Sequence, residues 1–216
     1  MPEKTVQKEP GKKPAPPKKP KPQQEVVVQI PLSELHPFPD HPFQVREDAS
    51  MQETAESVKE YGVLVPALAR PREDGGYELI AGHRRKHACE LAGLTTMPVI
   101  VRDIDRDTAT IIMVDSNLQR ENILPSERAK AYKMKMEAIK RQGARTDLTS
   151  PKISAKFRSD DEVGQDAGVS GDTIRNYIAL TQLVPELQQM VDEKKIALSP
   201  AYQIAALTPK EQGLLL

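Results

Sequence analysis

Three clusters of polar side chains stand where they could act on an anion. Ile80-Ala81-Gly82-His83-Arg84-Arg85 follows an apolar stretch and passes through a glycine into a helical pattern. That order builds a phosphate site. Glycine admits a ligand close to the backbone, a helix N-terminus offers unpaired N–H groups with partial positive charge, and arginine adds planar charge-assisted hydrogen bonds. A solvated arginine pair at a helix start fits the same six residues, and His83 fits either a phosphate hydrogen bond or a solvated first turn. Two more clusters favour the phosphate reading. His41-Pro42-Phe43-Gln44-Val45-Arg46 places Gln44 and Arg46 in an irregular loop, and Ser116-Asn117-Leu118-Gln119-Arg120-Glu121-Asn122 ends a helical pattern with dense hydrogen-bonding groups.

A fourth constellation has the spacing of a helix-turn-helix at residues 160–183. Gly164 sits where a first helix must approach a second closely, Gly168 supplies the turn, and Ile174 plugs the pair together with Val169 and Tyr177. Ser170 then caps the second helix and turns Gly171, Asp172, Thr173, Arg175 and Asn176 toward a major groove. Arg175 suits guanine or a phosphate, and Asn176 suits adenine. An ordinary helical hairpin with a solvated face is the alternative. Lys140, Arg141, Arg145, Lys152, Lys156 and Arg158 precede this unit against Asp147 alone. Of these, Lys152, Lys156 and Arg158 are expected to touch phosphates of duplex DNA, together with the cap residue Ser170.

The elements that must position these groups follow from pattern. Val26 to Ile30 reads as a strand, and Ser50 with Glu53 as a capping box opening a helix with apolar face Met51, Ala55 and Val58, stopped by Gly62. Ala67 to Arg70 and Tyr77 to Ala81 read as two strands joined through Asp74-Gly75-Gly76, followed by a helix from His83 to Ala92 and a strand from Pro98 to Arg102. After Asp107 only helices are expected. Ala109, Ile112, Met113 and Ser116 line one, and Ala129, Tyr132, Met136 and Ile139 line another that Pro125 opens. Pro185, Ser199-Pro200 and Thr208-Pro209 mark three later starts. The fold class is therefore α+β, with a small mixed α/β domain at 25–106 and an all-α DNA-binding domain at 107–207. Residues 208–216 read as the start of a truncated or missing C-terminal region.

Composition narrows the function classes. The chain has 216 residues with 31 basic and 31 acidic side chains. That balance hides an asymmetry, because residues 1–24 hold seven lysines and seven prolines against two glutamates. So little apolar surface cannot offset chain entropy, and this tail is expected to be disordered. It reads as a solvated linker or a weak contact to phosphate or a partner. Cys89 is the single cysteine, which excludes a disulfide framework and a thiol-clustered zinc site and fits a reducing cytoplasm. Apolar runs reach only four residues, as from Ile111 to Val114, far short of the roughly 20 that span a bilayer. The expectation is a soluble, cytoplasmic protein with no membrane contact.

The three clusters, in this order and followed by the helix-turn-helix, resemble the ParB family of plasmid and chromosome partition proteins over about residues 26 to 207. The family's N-P-x-Q-P-R is matched by Pro42, Gln44 and Arg46, with His41 for Asn and Val45 for the second Pro. Its G-E-R-R is matched by Gly82, Arg84 and Arg85, with His83 for Glu. Its E-N-x-Q-R is matched by Asn117, Gln119 and Arg120, with Ser116 for Glu. The resemblance implies a CTP-binding clamp domain using Gln44, Arg46, Gly82, His83, Arg84, Arg85, Asn117 and Arg120, with Mg²⁺ held weakly through Asn117. It also implies a palindromic centromere-like DNA site, a homodimer, a ParA-type ATPase partner and association with the nucleoid. A serine hydroxyl is a poor ligand for a hard dication, so CTP turnover is expected to be weak or lost. The segment from Arg145 to Arg158 is longer than in chromosomal members and looks like versions on mobile elements.

Two other classes compete. A transcriptional repressor of a mobile element would use the same helix-turn-helix without a nucleotide switch. An enzyme is the third, because sulfiredoxin shares the ParB N-terminal fold and carries a reactive cysteine in its phosphate loop. Here that loop has none, and Cys89 lies two turns into the helix, where it reads as a buried small apolar residue.

Overall fold

The computed structural model describes residues 26–120, 122–147 and 159–216. The N-terminal tail and Lys152, Lys156 and Arg158 lie outside the described residues.

Five strands, β1 (Val27–Pro31), β2 (Leu35–Pro37), β3 (Ala67–Pro71), β4 (Tyr77–Ala81) and β5 (Thr96–Val101), form one mixed sheet in the order β1-β5-β3-β4-β2. β3 and β4 pair antiparallel across the turn at Gly75 and Gly76, both of which take positive φ. β3 runs parallel to β5, and β2 runs parallel to β4. The pattern of the sequence does not give β2: three residues ending in proline suit only a sheet edge, which is where the strand lies.

Alternation along the strands fills both faces of the sheet. Ile30, Leu79, Met97 and Val99 meet Met51 and Val58 of α1 (Ala49–Tyr61) and Ala88 and Cys89 of α2 (His83–Leu91). On the other side Ile80 meets Ala109, Met113 and Val114 of α3 (Arg106–Leu118) and Ala131 of α4 (Pro125–Asp147), with Phe38 and Phe43 closing the edge. The division expected at residue 106 thus falls inside one packed body, because α3 lays its buried face on the sheet.

Three local readings are corrected. Asp48, not Ser50, caps α1, accepting a hydrogen bond from the Met51 N–H at 2.9 Å. Ser116 is exposed and Asn117 is buried, so the inner stripe of α3 runs one residue later than its apolar residues suggest. Ser199 lies within α8 (Leu198–Ile204), whose cap is Ala197, since the helix starts two residues earlier than the Ser-Pro pair implies. Gly62 does end α1 and Cys89 is fully buried.

Beyond α4 come α5 (Ser159–Ala167), α6 (Gly171–Ala179), α7 (Pro185–Asp192), α8 and α9 (Pro209–Gln212). Pro185 opens α7, and Thr208 with Glu211 forms a complete capping box on α9. Tyr132 of α4 packs on Val163 and Ile174, which seats α5 and α6 on the long helix. Lys135, fully buried on α4, donates to Asp115 of α3 at 2.7 Å and to Asp166 of α5 at 2.9 Å. One ammonium therefore joins the sheet-covering helices to the helix-turn-helix. Burial lowers its pKa, but the two carboxylate hydrogen bonds outweigh burial and hold it above the usual lysine range.

Candidate functional site

Gly82 caps α2 in the left-handed region, at φ 110°. A Cβ there would stand 2.8 Å from the Ala67 Cβ, so both the conformation and the close approach to β3 require glycine. No side chain caps this end, which leaves the first-turn N–H groups of α2 without a side-chain acceptor, and Arg84 of that turn lines a cleft of about 360 Å³. Gln44, Arg46, Arg84 and Arg120 line that cleft, as the sequence leads one to expect, and so do Phe43, Asp48, Ser50, Asn122, Ile123 and Glu127.

The cleft is cationic and short of anions. Arg84 donates to Ser50 Oγ at 3.2 Å and stands 3.8 Å from Asp48, which is half exposed. Burial lowers the pKa of Arg120, the nearby Arg84 and Arg85 lower it further, and only Glu127 opposes them. Both oxygens of Glu127 are taken by backbone N–H groups, Gln44 at 3.0 Å and Leu124 at 3.1 Å, with Arg46 at 3.8 Å. Like charges held at this spacing favour any ligand that brings negative charge. Glu127 was missed because its role lies in fastening the loop of Gln44 to α4, a contact 83 residues apart in sequence.

Three expected nucleotide residues stand elsewhere. Arg85 donates through Nη1 to the carbonyls of Val65 and Pro66, at 2.6 and 2.7 Å, and so secures the segment between α1 and β3. Burial lowers its pKa. His83 is neither solvated nor in the cleft lining. Its ring centroid lies 4.0 Å from that of His41, and its Nε2 is buried without a partner among the described residues. Burial, with His41, Arg120 and Lys86 nearby, lowers its pKa to about 3. His41 is lowered by burial as well, and its Nδ1 lies 2.7 Å from the Phe43 carbonyl. Asn117 is buried beneath the site: Nδ2 donates to the Met113 carbonyl at 2.8 Å, while Oδ1 has no partner among the described residues.

That orphaned oxygen fits a neutral metal ligand, but among the described residues neither Asp115 nor Glu127 is free to complete a site for a hard dication. Asp115 holds Lys135, Glu127 is saturated, and the Ser116 hydroxyl donates to Met113 at 2.9 Å.

The second site is the helix-turn-helix. Gly168 makes the turn at φ 68°, and a Cβ on Gly164 would meet the Val169 carbonyl at 2.6 Å, so the close helix crossing requires that glycine. Ser170 caps α6 by accepting from the Thr173 N–H at 3.2 Å. Ser170, Asp172, Arg175 and Asn176 are exposed and Thr173 is half-buried. Gly171 is buried, contrary to expectation. A Cβ there would stand 2.2 Å from Asp161 Oδ1, so it is a packing position and not a groove contact. Arg175 is engaged by Asp160 and Asp172. Upstream, Arg141 pairs with Asp107 at 2.7 Å, so this member of the basic run is partly neutralised within the protein. No described helix is long and apolar enough to cross a membrane.

Comparison with known proteins adds an independent line. Residues 17–118 match the family model of the ParB N-terminal domain, and residues 151–216 match that of the ParB HTH domain. The chain is 34% identical over 187 residues to the chromosome-partitioning protein Spo0J of Thermus thermophilus, an alignment covering 86% of this chain and 62% of that protein. It is 39% identical over 171 residues to the probable chromosome 1-partitioning protein ParB of Deinococcus radiodurans, covering 79% and 52%. The chain thus spans between half and two thirds of the length of these relatives. Among solved structures, the C-terminally truncated ParB of Caulobacter crescentus, complexed to the centromeric parS site, superposes with a TM-score of 0.54. It is 26% identical, and the match covers 87% of this chain and 97% of that one.

Proposed function

The chain belongs to the ParB family, and on that footing we propose that it is a sequence-specific DNA-binding partition protein with a CTP-binding clamp domain. The carrying observation is the cleft in which Arg46, Arg84 and Arg120 converge beside the uncapped start of α2, on the same chain as a helix-turn-helix. A triphosphate supplies the negative charge that Asp48 and Glu127 do not. Gln44 adds a neutral hydrogen-bonding group at the same wall.

The helix-turn-helix binds duplex DNA, and the relative seated on a centromeric site supports a palindromic target read by two copies of this chain. Partnership with a ParA-type ATPase and a place on the nucleoid belong to the same proposal.

Each residue of the cleft has a separable task. Arg84, held only by a neutral hydroxyl and an exposed carboxylate, turns to the phosphates; Arg85 keeps the neighbouring loop in place; Gly82 keeps the backbone N–H groups within reach. Mg²⁺, when bound, supplies charge neutralisation at the phosphates, with Asn117 Oδ1 as the protein ligand. With Ser116 in place of a carboxylate, turnover is slow.

Calorimetry with CTP, in the presence of a duplex selected by the protein, tests this reading. Arg84→Ala is expected to abolish binding, whereas Ser116→Glu is expected to leave binding in place and raise hydrolysis. No CTP binding by the intact chain would refute the clamp and leave a repressor that uses the helix-turn-helix alone. Rapid hydrolysis by the unaltered chain would refute only the role given to Ser116.

A further inference from the structure

Arg175 lies on the exposed side of α6, one turn beyond the Ser170 cap. Its guanidinium is gripped at both ends: Nη1 meets Asp160 of α5, and Nη2 meets Asp172 one turn earlier on α6. The two carboxylates differ in kind. The Asp172 side chain is 78% exposed, while that of Asp160 is only 10% exposed. Asp160 is therefore fixed by its surroundings, and what it holds is fixed with it. Burial acts to raise the pKa of Asp160, but the Arg175 hydrogen bond and backbone N–H groups hold it below the usual carboxylate range, so it stays charged at neutral pH.

The sequence makes room for this arrangement at one position. Gly171 has no side chain, and any Cβ there would collide with Asp161. With glycine there, the Asp161 side chain keeps its place while the first turn of α5 lies against the first turn of α6, where Asp160 meets Arg175. An arginine on a long flexible stem loses rotamer entropy when it docks on a base, and a planar guanidinium already held in its fork geometry loses less.

We propose that Asp160 is a positioning residue for DNA reading: it holds Arg175 in one rotamer, with its remaining N–H groups turned outward to a base edge in the major groove. This rests on the helix-turn-helix reading above and deepens it. Asp160 touches no DNA in this scheme. Being negative near the duplex, it weakens binding to any sequence while sharpening the choice among sequences. A carboxylate that merely stapled α5 to α6 would produce no such opposition.

The test uses the full chain, a duplex selected from a random library by the unaltered protein, single-base variants of that duplex, and a random-sequence duplex. Arg175→Ala identifies the base pair at which discrimination falls, expected to be about tenfold or more. Asp160→Asn is expected to relax discrimination at that same base pair, to bind random duplex as tightly or more tightly, and to add nothing to the loss when combined with Arg175→Ala. Arg175→Lys, which keeps the charge but not the fork, should behave like Arg175→Ala in discrimination. If Asp160→Asn fails to fold, Asp172→Asn replaces it, because that exposed residue grips the other end of the same guanidinium; it too should relax the same base pair.

Equal loss of specific and random binding in a folded Asp160→Asn, or undiminished discrimination in it or its replacement, would overturn the proposal. So would undiminished discrimination in Arg175→Ala. Absence of any duplex binding by the unaltered chain would overturn the helix-turn-helix reading itself, and this proposal with it.

Discussion

Acidification destabilises this protein through His83. The folded pKa is about 3 against an ordinary 6.5, because burial and the neighbouring His41, Arg120 and Lys86 all oppose a positive charge there. The sign follows from proton counting. Below pH 6.5 the unfolded chain takes up a proton that the folded chain refuses, so stability present above that pH is lost as pH falls. The slope is about 1.4 kcal/mol per pH unit for one such group, so a fall from pH 6.5 to 5.0 costs about 2 kcal/mol from His83 alone. His41 is shifted in the same direction by burial and adds to the loss. No carboxylate hydrogen-bonds either ring among the described residues. Glu127 raises the pKa of His41 only at a distance, and among the described residues the Phe43 carbonyl is the hydrogen-bond partner of its ring. Urea unfolding at a series of pH values, for the unaltered chain and His83→Gln, measures this directly. The unaltered chain should lose about 2 kcal/mol more than the variant between pH 6.5 and 5.0. Parallel curves for the two proteins over that interval would refute the buried neutral histidine. A bound polyanion should lessen the loss at the same group, since negative charge beside Arg120 favours a protonated ring.

Lys135 tests whether the link between α3, α4 and α5 depends more on the ammonium or on its partners. Asp115 and Asp166 are about half exposed and can regain water, so Lys135→Met is expected to cost about 1 kcal/mol, whereas removing both carboxylates strands a buried charge and should cost about 3–5 kcal/mol in denaturant unfolding. Equal costs would show that the ammonium reaches water. For the segment before α5, neutralising Lys152, Lys156 and Arg158 together should weaken binding to all duplexes alike and flatten the salt dependence, read by titration at several salt concentrations; a loss confined to the selected duplex would show that these side chains read bases.

Four of the five strands, the helix crossing at Gly164 and most helix starts are legible in the sequence because they depend on neighbours along the chain. Gly62, Gly82 and Gly168 take positive φ, and Pro125, Pro185 and Pro209 begin helices for reasons that lie within one turn. What the sequence does not disclose is settled by contacts across the fold. Asp48 and Ser50 are both good caps, and Ser50 is released from that task to meet Arg84 from another element. His41 and His83 are 42 residues apart and each looks like a surface group, yet they stack on one another. Asp160 and Gly171 carry no signal of their joint role until α5 lies against α6.

The paired arginines after Gly82 show how far a motif can be read and where geometry takes over. Successive residues on a helix point about 100° apart, so Arg84 and Arg85 leave α2 in different directions. Two cations are needed next to one another only if they do different things. Arg85 is satisfied by two carbonyls at hydrogen-bonding distance and has no call on an anion, while Arg84 has a neutral hydroxyl at 3.2 Å and a half-exposed carboxylate at 3.8 Å. Arg84 stands close enough to Arg120 to help lower the pKa of Arg120. Two guanidiniums opposed only by the half-exposed Asp48 and by Glu127, whose oxygens already accept backbone N–H groups, suit the phosphate chain proposed above. On that proposal the arginine that turns to the ligand is the one whose protein partners are weakest, which is a property of the folded molecule and not of the Arg-Arg sequence.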